Sequence, residues 1–137
     1  MRITVVTPTY NEAENLPKLV SALFSLPLDL HVLVVDDNSP DGTGRIADEL
    51  AAQFPGRVDV LHRPGKMGLR SAYLNGFQKV LDGNVQAVVQ MDADFSHDPS
   101  VLVQMVKFLE SHDVVFGSRY VQGGSVDELW PFWRKKL

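Results

Sequence analysis

The chain has 137 residues, of which 45% are apolar and 22% charged, and its formal net charge is −4. These values fit one soluble globular domain with a real core, and the acidic balance gives no support to general nucleic-acid binding. Because the sequence has no cysteine, it excludes disulfides, thiolate metal sites and cysteine nucleophiles. No apolar run reaches the roughly 18–20 residues that span a bilayer, and the run before Pro8 is too short for a secretory signal.

Short β-branched runs alternate with longer amphipathic segments along the chain. The predicted strands cover residues 3–7, 31–35, 58–61, 85–91 and 114–116. The predicted helices cover residues 12–25, 43–53, 69–81 and 99–111, the last with Asp98 as N-cap and Pro99 in the first helical position. This alternation predicts right-handed βαβ units, a mostly parallel sheet and therefore an α/β fold. We expect 1–137 to be one domain that is incomplete at its C-terminal end, since the last residues complete no element.

Polar residues are concentrated in the segments that follow the predicted strands. Open α/β sheets bind ligands beyond the carboxyl ends of their strands, so these segments predict where the chemistry lies. They read TPTYNE, DDNSPDGT, HRPGKMG, DADFSHD and GSRY.

Asp92 and Asp94 follow the strand 85–91, with Ala93 between them. Alternate side chains of an extended segment share a face, so both carboxylates would point the same way. Two hard oxygen ligands at a strand end suit Mg²⁺ or Mn²⁺, with waters and substrate phosphates completing the coordination. The alternative is a solvated acidic turn in which Asp98 only caps the next helix, the role we expect for Asp98 in either case.

The second predicted strand runs into Asp36 and Asp37. Asp37, and Asp36 less strongly, could accept hydrogen bonds from a ribose or a base edge, as an acidic residue does in other nucleotide-binding α/β folds. Residues 38–43 are rich in turn formers. We therefore expect Asp41 to shape the turn, and Asp41 or Thr43 to cap the next helix.

Residues 7–12 join the first strand to the first helix. Tyr10 could stack on a base, and Asn11 could cap the helix. The segment contains no glycine, so the GxGxxG fingerprint of dinucleotide-binding folds is missing where it would stand, and no P-loop motif occurs elsewhere.

A basic, glycine-bearing loop, residues 62–70, runs into the third helix. Its backbone N–H groups, the helix N-terminus and side chains such as Arg63 and Lys66 favour phosphate, and the alternative is a surface loop without a ligand. The two histidines beside the loops, His62 and His97, are expected to be structural.

Two cationic segments lie toward the C-terminus. Arg119 follows the last predicted strand and could pair with a phosphate bidentately. Residues 129–136 combine three aromatic side chains with three cations. This composition fits an anchor at a membrane surface or, alternatively, a core-packing segment with a solvated tail.

Taken in order, five motifs resemble those of the dolichol-phosphate mannose synthases, which are family 2 glycosyltransferases with the Rossmann-like GT-A fold, an α/β/α sandwich. The motifs are PTYNE (8–12), VVDDNSPDGT (34–43), RPGKMGL (63–69), MDADFSHDP (91–99) and GSRYVQGG (117–124). One departure is Arg70, where the family usually has glycine.

The resemblance implies a role for each matching residue. The residues that would contact the nucleotide sugar are Pro8, Tyr10, Glu12, Val35, Asp37, Lys66, Asp92, Ala93, Asp94 and Arg119. Of these, the catalytic set would be Asp92, Asp94 and Arg119, the metal ligands Asp92 and Asp94, and the residues at the acceptor phosphate Arg119 and Arg134.

The implied activity is transfer of mannose from GDP-mannose to a polyprenyl (dolichyl-type) phosphate, with inversion and the help of Mg²⁺ or Mn²⁺. The implied location is the cytoplasm, peripheral to the cytoplasmic face of a membrane. A UDP-glucose-dependent lipid-phosphate glucosyltransferase is the first alternative, since such enzymes share these motifs. Two alternatives come from other classes: a phospho-accepting receiver domain with Asp92 as its phosphorylated aspartate, and a fragment that binds without catalysis.

Overall fold

The computed structural model describes residues 1–125. Residues 1–100 form one compact unit, and the chain from Val101 onward belongs to a second. The two units are described separately. The expectation of a single, C-terminally incomplete domain over 1–137 stays a prediction.

The first unit is built on a four-stranded parallel sheet with the strand order β3-β2-β1-β4. Its strands are β1 (Ile3–Thr9), β2 (Leu30–Asp36), β3 (Val58–His62) and β4 (Ala87–Gln90). The two central strands, β1 and β2, are buried over nearly their whole length, which explains why they read as continuous apolar runs. The α/β class and the parallel sheet predicted from the sequence are confirmed.

Three helices connect these strands: α1 (Asn15–Phe24), α2 (Thr43–Gln53) and α3 (Leu69–Leu81). From β1 to β3 the chain moves across the sheet in one direction, and it then returns past β1 to form β4. With right-handed crossovers, this reversal places α1 and α2 on one face and α3 on the other. It also leaves a crevice beyond the carboxyl ends of β1 and β4, the position at which open α/β sheets bind ligands.

Helix α3 lies unusually close to the sheet at Gly76. A Cβ added there would stand 2.4 Å from Val6 Cγ1 and 3.2 Å from Val35 Cγ2. On the same face, Ala72 and Tyr73 of the helix are buried in a cluster with these two valines. Because Gly76 has no side chain, α3 can pack closely on the sheet, and this brings Ala72 and Tyr73 against it next to the crevice.

The first helix begins later than predicted, at Asn15 instead of residue 12. Asn11 has a left-handed backbone with φ of 58°, which cannot belong to a right-handed helix. No side chain caps α1, so the expectation that Asn11 caps it is wrong.

The predicted helix 99–111 is divided into a 3₁₀ turn, Pro99–Val101, and a short helix α4, Leu102–Phe108. Asp98 Oδ1 accepts the backbone N–H of Ser100 at 2.9 Å, which is the hydrogen bond of an N-cap. This bond also lowers the pKa of Asp98. The predicted capping role of Asp98 is confirmed, although the element it caps is the 3₁₀ turn.

The predicted strand 114–116 is wrong, because these residues form no strand. Val114 and Phe116 are 63% and 87% exposed. A β-branched and aromatic run becomes a strand only when a neighbouring strand satisfies its backbone. Within residues 1–125, no pairing partner is recorded for this segment.

Candidate nucleotide-sugar site

A cavity of about 220 Å³ lies at the carboxyl ends of the strands, entirely within the first unit. Segments after β1, β2 and β4 contribute to its lining, together with the basic loop and the start of α3. The lining residues are Pro8, Thr9, Tyr10, Glu12, Asp37, Lys66, Gly68, Leu69, Ala72, Asp92, Ala93 and Asp94. The cavity thus occupies the crevice that the reversal of strand order creates.

Eight residues predicted to contact a nucleotide sugar line this one cavity: Pro8, Tyr10, Glu12, Asp37, Lys66, Asp92, Ala93 and Asp94. Val35 does not line it, because its side chain is fully buried beneath α3. Arg119 belongs to the second unit, and Arg134 lies outside the described residues. The roles of these last three residues stay predictions.

Asp92 is half-buried, lines the cavity, and takes part in two hydrogen bonds that hold it in place. Its Oδ1 accepts a hydrogen bond from the hydroxyl of Tyr73 at 2.5 Å. Its backbone N–H donates to Nδ1 of His97 at 3.2 Å. This contact gives His97 a supporting role at Asp92.

Asp94 is exposed and is held by its own turn. Its Oδ1 accepts the backbone N–H of Ser96 at 2.9 Å, and hydrogen bonding from Ser96 lowers the pKa of the Asp94 carboxyl. The turn also places Phe95 in the left-handed region with φ of 60°. That conformation is rare for a bulky residue and is often found at functional sites.

The protein groups that could bind a metal ion at this end of the cavity are the carboxylates of Asp92 and Asp94. Among residues 1–125, no group of three or more His, Cys, Asp or Glu side chains could hold a metal ion. Two carboxylates fit Mg²⁺ or Mn²⁺, which keep several waters and bind through one or two carboxylates plus substrate phosphates. The residues present therefore fit a cation that binds together with a diphosphate.

Asp37 is bound on both oxygens by the buried guanidinium of Arg63. Arg63 Nε donates to Oδ1 at 2.6 Å and Nη2 donates to Oδ2 at 2.8 Å. The same guanidinium donates to Ser71 and Asn75 of α3, and the hydrogen bond to Asp37 raises the pKa of Arg63. Arg63 is only 5% exposed, so the expectation that its charge faces a phosphate is wrong: it joins the end of β2 to α3.

Asp36, the first acid of the pair, is 1% exposed, and its carboxylate accepts hydrogen bonds from neighbouring residues of the protein. Its Oδ1 accepts from the hydroxyls of Thr9 at 2.8 Å and Ser39 at 2.6 Å, and its Oδ2 accepts the backbone N–H of Ser39 at 3.1 Å. Asp36 therefore links the end of β1 to the β2–α2 turn, and Asp37 alone of the two lines the cavity.

Side chains of the β2–α2 turn hold the β1–α1 loop in place. Three consecutive backbone N–H groups donate to them: Asn11 to Ser39 Oγ (3.1 Å), Glu12 to Thr43 Oγ1 (2.9 Å) and Ala13 to Asp41 Oδ2 (3.1 Å). Asp41 Oδ1 also accepts the N–H of Thr43, the first residue of α2, at 3.0 Å. The turn residues that the sequence indicated thus position Tyr10 and Glu12 at the cavity.

Lys66 brings the basic loop to the cavity, beside Tyr10. Its Nζ lies 4.6 Å from the ring centroid of Tyr10, a cation–π distance. Tyr10 is 39% exposed, so part of its ring remains open to a ligand. His62, at the start of the loop, pairs instead with Asp48 of α2, Nε2 to Oδ1 at 2.8 Å, in keeping with a structural role.

Residues 4–136 match the family model for glycosyl transferase family 2. Over 135 residues the chain is 49% identical to a polyprenol monophosphomannose synthase of Mycolicibacterium smegmatis, covering 98% of this chain and 50% of that protein. Over 137 residues it is 45% identical to an undecaprenyl-phosphate mannosyltransferase of Micrococcus luteus, covering 100% of this chain and 56% of that protein.

Among solved structures, the chain resembles the mannosyltransferase PcManGT of Pyrobaculum calidifontis, determined in complex with GDP-Man and Mn²⁺. The TM-score is 0.67 at 27% identity, covering 79% of this chain and 32% of the other.

The chain belongs to glycosyltransferase family 2 and has the GT-A fold. It spans about half the length of the two mannosyl-transfer relatives that it matches, 50% of one and 56% of the other. The strand order β3-β2-β1-β4 also differs from the order 2-1-3-4-5 of receiver domains. The receiver alternative is therefore wrong.

Proposed function

We propose that the chain carries the donor-binding site of a hexosyltransferase that moves mannose from GDP-mannose to a polyprenyl (dolichyl-type) phosphate with inversion. The observation that carries the proposal is the cavity after β1, β2 and β4, in which eight of the residues predicted to contact a nucleotide sugar meet. The names of the relatives, which are polyprenol- and undecaprenyl-phosphate mannose enzymes, support the choice of sugar and acceptor.

Within this site, the ring of Tyr10 and the carboxylates of Glu12 and Asp37 would contact the nucleoside. Lys66 lines the cavity beside Tyr10 and as a point charge suits a phosphate oxygen. Asp92 and Asp94 would hold Mg²⁺ or Mn²⁺ together with the diphosphate, with the backbone at Ala93 close to the same group. The Mn²⁺ in the GDP-Man complex of PcManGT supports a divalent cation.

The acceptor needs little help from a general base. A phosphate monoester has a second pKa of about 6, so at neutral pH it is already an anion. One of its oxygens would attack C1 of mannose while the bond from C1 to the β-phosphate oxygen of GDP breaks. The bound cation would stabilise the charge that develops on the leaving diphosphate, and positioning supplies much of the remaining rate.

Arg119 and Arg134 would contact the acceptor phosphate, and the aromatic and basic residues of 129–136 would lie at a membrane surface. The protein would then act in the cytoplasm, at the cytoplasmic face of a membrane. In the part of the chain that the structure describes, no helix has both the length and the apolar content needed to cross a bilayer.

A transfer assay tests the proposed activity. The protein is incubated with radiolabelled GDP-mannose or UDP-glucose, a polyprenyl phosphate in detergent, and Mn²⁺ or EDTA. We expect label in the lipid fraction only with GDP-mannose, and only with the metal. Equal or faster transfer of glucose would instead support the glucosyltransferase alternative, and undiminished transfer in EDTA would contradict a metal-assisted reaction.

A further inference from the structure

Tyr73 is a buried residue of α3 whose hydroxyl is directed toward the cavity. Only 5% of the residue is exposed, and its ring packs in the apolar cluster with Val6, Val35 and Ala72, beside Phe77 at 5.9 Å between ring centroids. A phenylalanine would fill the same space. The packing of α3 therefore accounts for the ring of Tyr73 but not for its oxygen.

The oxygen of Tyr73 donates a hydrogen bond to Oδ1 of Asp92 at 2.5 Å. An ionised carboxylate only accepts hydrogen bonds, so the proton belongs to the tyrosine. An O–H donor to a carboxylate at this distance makes one of the stronger hydrogen bonds in proteins.

This bond makes the two carboxylates of the site unequal. Asp94 is exposed, and its carboxylate accepts the backbone N–H of Ser96 in its own turn. Asp92 is joined through Tyr73 to the buried face of α3, and its backbone N–H is bound by His97. The hydrogen bond at Oδ1 restricts rotation of the carboxylate, and lone pairs on its oxygens remain for a ligand.

We propose that Tyr73 is a positioning residue that holds Asp92 in the orientation in which it binds the divalent cation and the donor diphosphate. The inference rests on the proposed function, since it requires that Asp92 bind this cation. Partners of metal ligands that fix the ligand's orientation commonly change metal affinity by about 10–100-fold when removed. Nothing in the sequence pattern of α3 distinguishes the hydroxyl of Tyr73 from a packing aromatic.

The test is the variant Tyr73→Phe, studied by Mn²⁺ electron paramagnetic resonance titration of the full chain with saturating GDP. The substitution removes one oxygen and leaves the ring. We expect Mn²⁺ affinity in the presence of GDP to fall by about tenfold, while GDP affinity without metal changes less than twofold. The matched control is Phe77→Leu, which disturbs the same cluster without touching Asp92 and should leave Mn²⁺ affinity unchanged.

Each outcome decides a different claim. Unchanged Mn²⁺ affinity in Tyr73→Phe, or an equal loss in Phe77→Leu, would overturn the role of Tyr73 while the proposed function stands. Failure of the wild-type chain to bind Mn²⁺ with GDP would overturn the proposed function, and the inference with it.

Discussion

Replacing Asp94 with asparagine should abolish metal-dependent binding of GDP-mannose, with an apparent affinity at least about 100-fold weaker in the presence of Mn²⁺. The amide keeps the size of the side chain and can still accept the N–H of Ser96 through its carbonyl oxygen. What it loses is the negative charge, which is half of the protein's charge at the proposed cation site. Isothermal titration calorimetry with and without Mn²⁺ measures the loss, and the rate of transfer should fall with it.

Asp98→Asn is the matched control for that prediction. Asp98 lies four residues further along the same segment, is also exposed, and caps the 3₁₀ turn through Ser100. It does not line the cavity. Asp98→Asn should therefore leave the Mn²⁺-dependent affinity for GDP-mannose unchanged. Near-normal binding by Asp94→Asn, or an equal loss in Asp98→Asn, would contradict the assignment of Asp94 as a metal ligand.

Replacing Arg63 with methionine should cost about 3–5 kcal/mol of folding free energy, the usual consequence of removing one partner from a buried ion pair. The variant leaves Asp37, which is 6% exposed, without its two hydrogen bonds from the guanidinium. It also removes the donors to Ser71 and Asn75 that join the basic loop to α3. Chemical denaturation followed by circular dichroism measures the change.

Two further variants show whether the buried pair is the cause. Arg45→Met removes an exposed arginine of α2 that pairs with Glu49 one turn away, and such pairs contribute only about 0.3–0.5 kcal/mol. Adding Asp37→Asn to Arg63→Met removes the stranded charge and should restore a large part of the lost stability. If Arg63→Met and Arg45→Met unfold at the same denaturant concentration, Arg63 does not have the role that its contacts indicate.

The sequence correctly predicted the helices in which apolar residues recur with a helical period and the strands that are continuous apolar runs. The strands containing Val6 and Val34 were predicted to within two residues at each end, because a central parallel strand is apolar on both faces. The stretch 114–116 has the same local composition but forms no strand. Short apolar runs do not reveal whether a neighbouring strand is available to pair with them, and that information is not local.

Most of the candidate site was also predictable, because a parallel sheet collects the segments after its strands at one edge. Asp37, Asp92 and Asp94 lie in such segments and meet at one cavity. The sequence could not show which charged groups are already satisfied inside the protein. Arg63 was expected to face a phosphate but lies buried against Asp37, and Asp36 is buried and accepts hydrogen bonds from Thr9 and Ser39.

The contacts that orient the site were the hardest to predict. The hydroxyl of Tyr73 meets Asp92 across 19 positions of sequence, and only packing of α3 on the sheet brings them together. The hydroxyls of Ser39 and Thr43 accept backbone N–H groups of the β1–α1 loop that lie 28 and 31 positions away in sequence. Turn-forming residues indicated a turn there, but not that their side chains would also hold a second loop.

Calorimetric titration of the chain with GDP-mannose, in the presence and absence of Mn²⁺, tests the central claim most directly. UDP-glucose under the same conditions serves as the matched ligand. We predict that GDP-mannose binds with Mn²⁺, that its affinity falls sharply without the metal, and that UDP-glucose binds more weakly in both cases. Equal affinity for GDP-mannose with and without Mn²⁺, or tighter binding of UDP-glucose, would contradict a metal-dependent site for GDP-mannose between Asp37 and the Asp92–Asp94 pair.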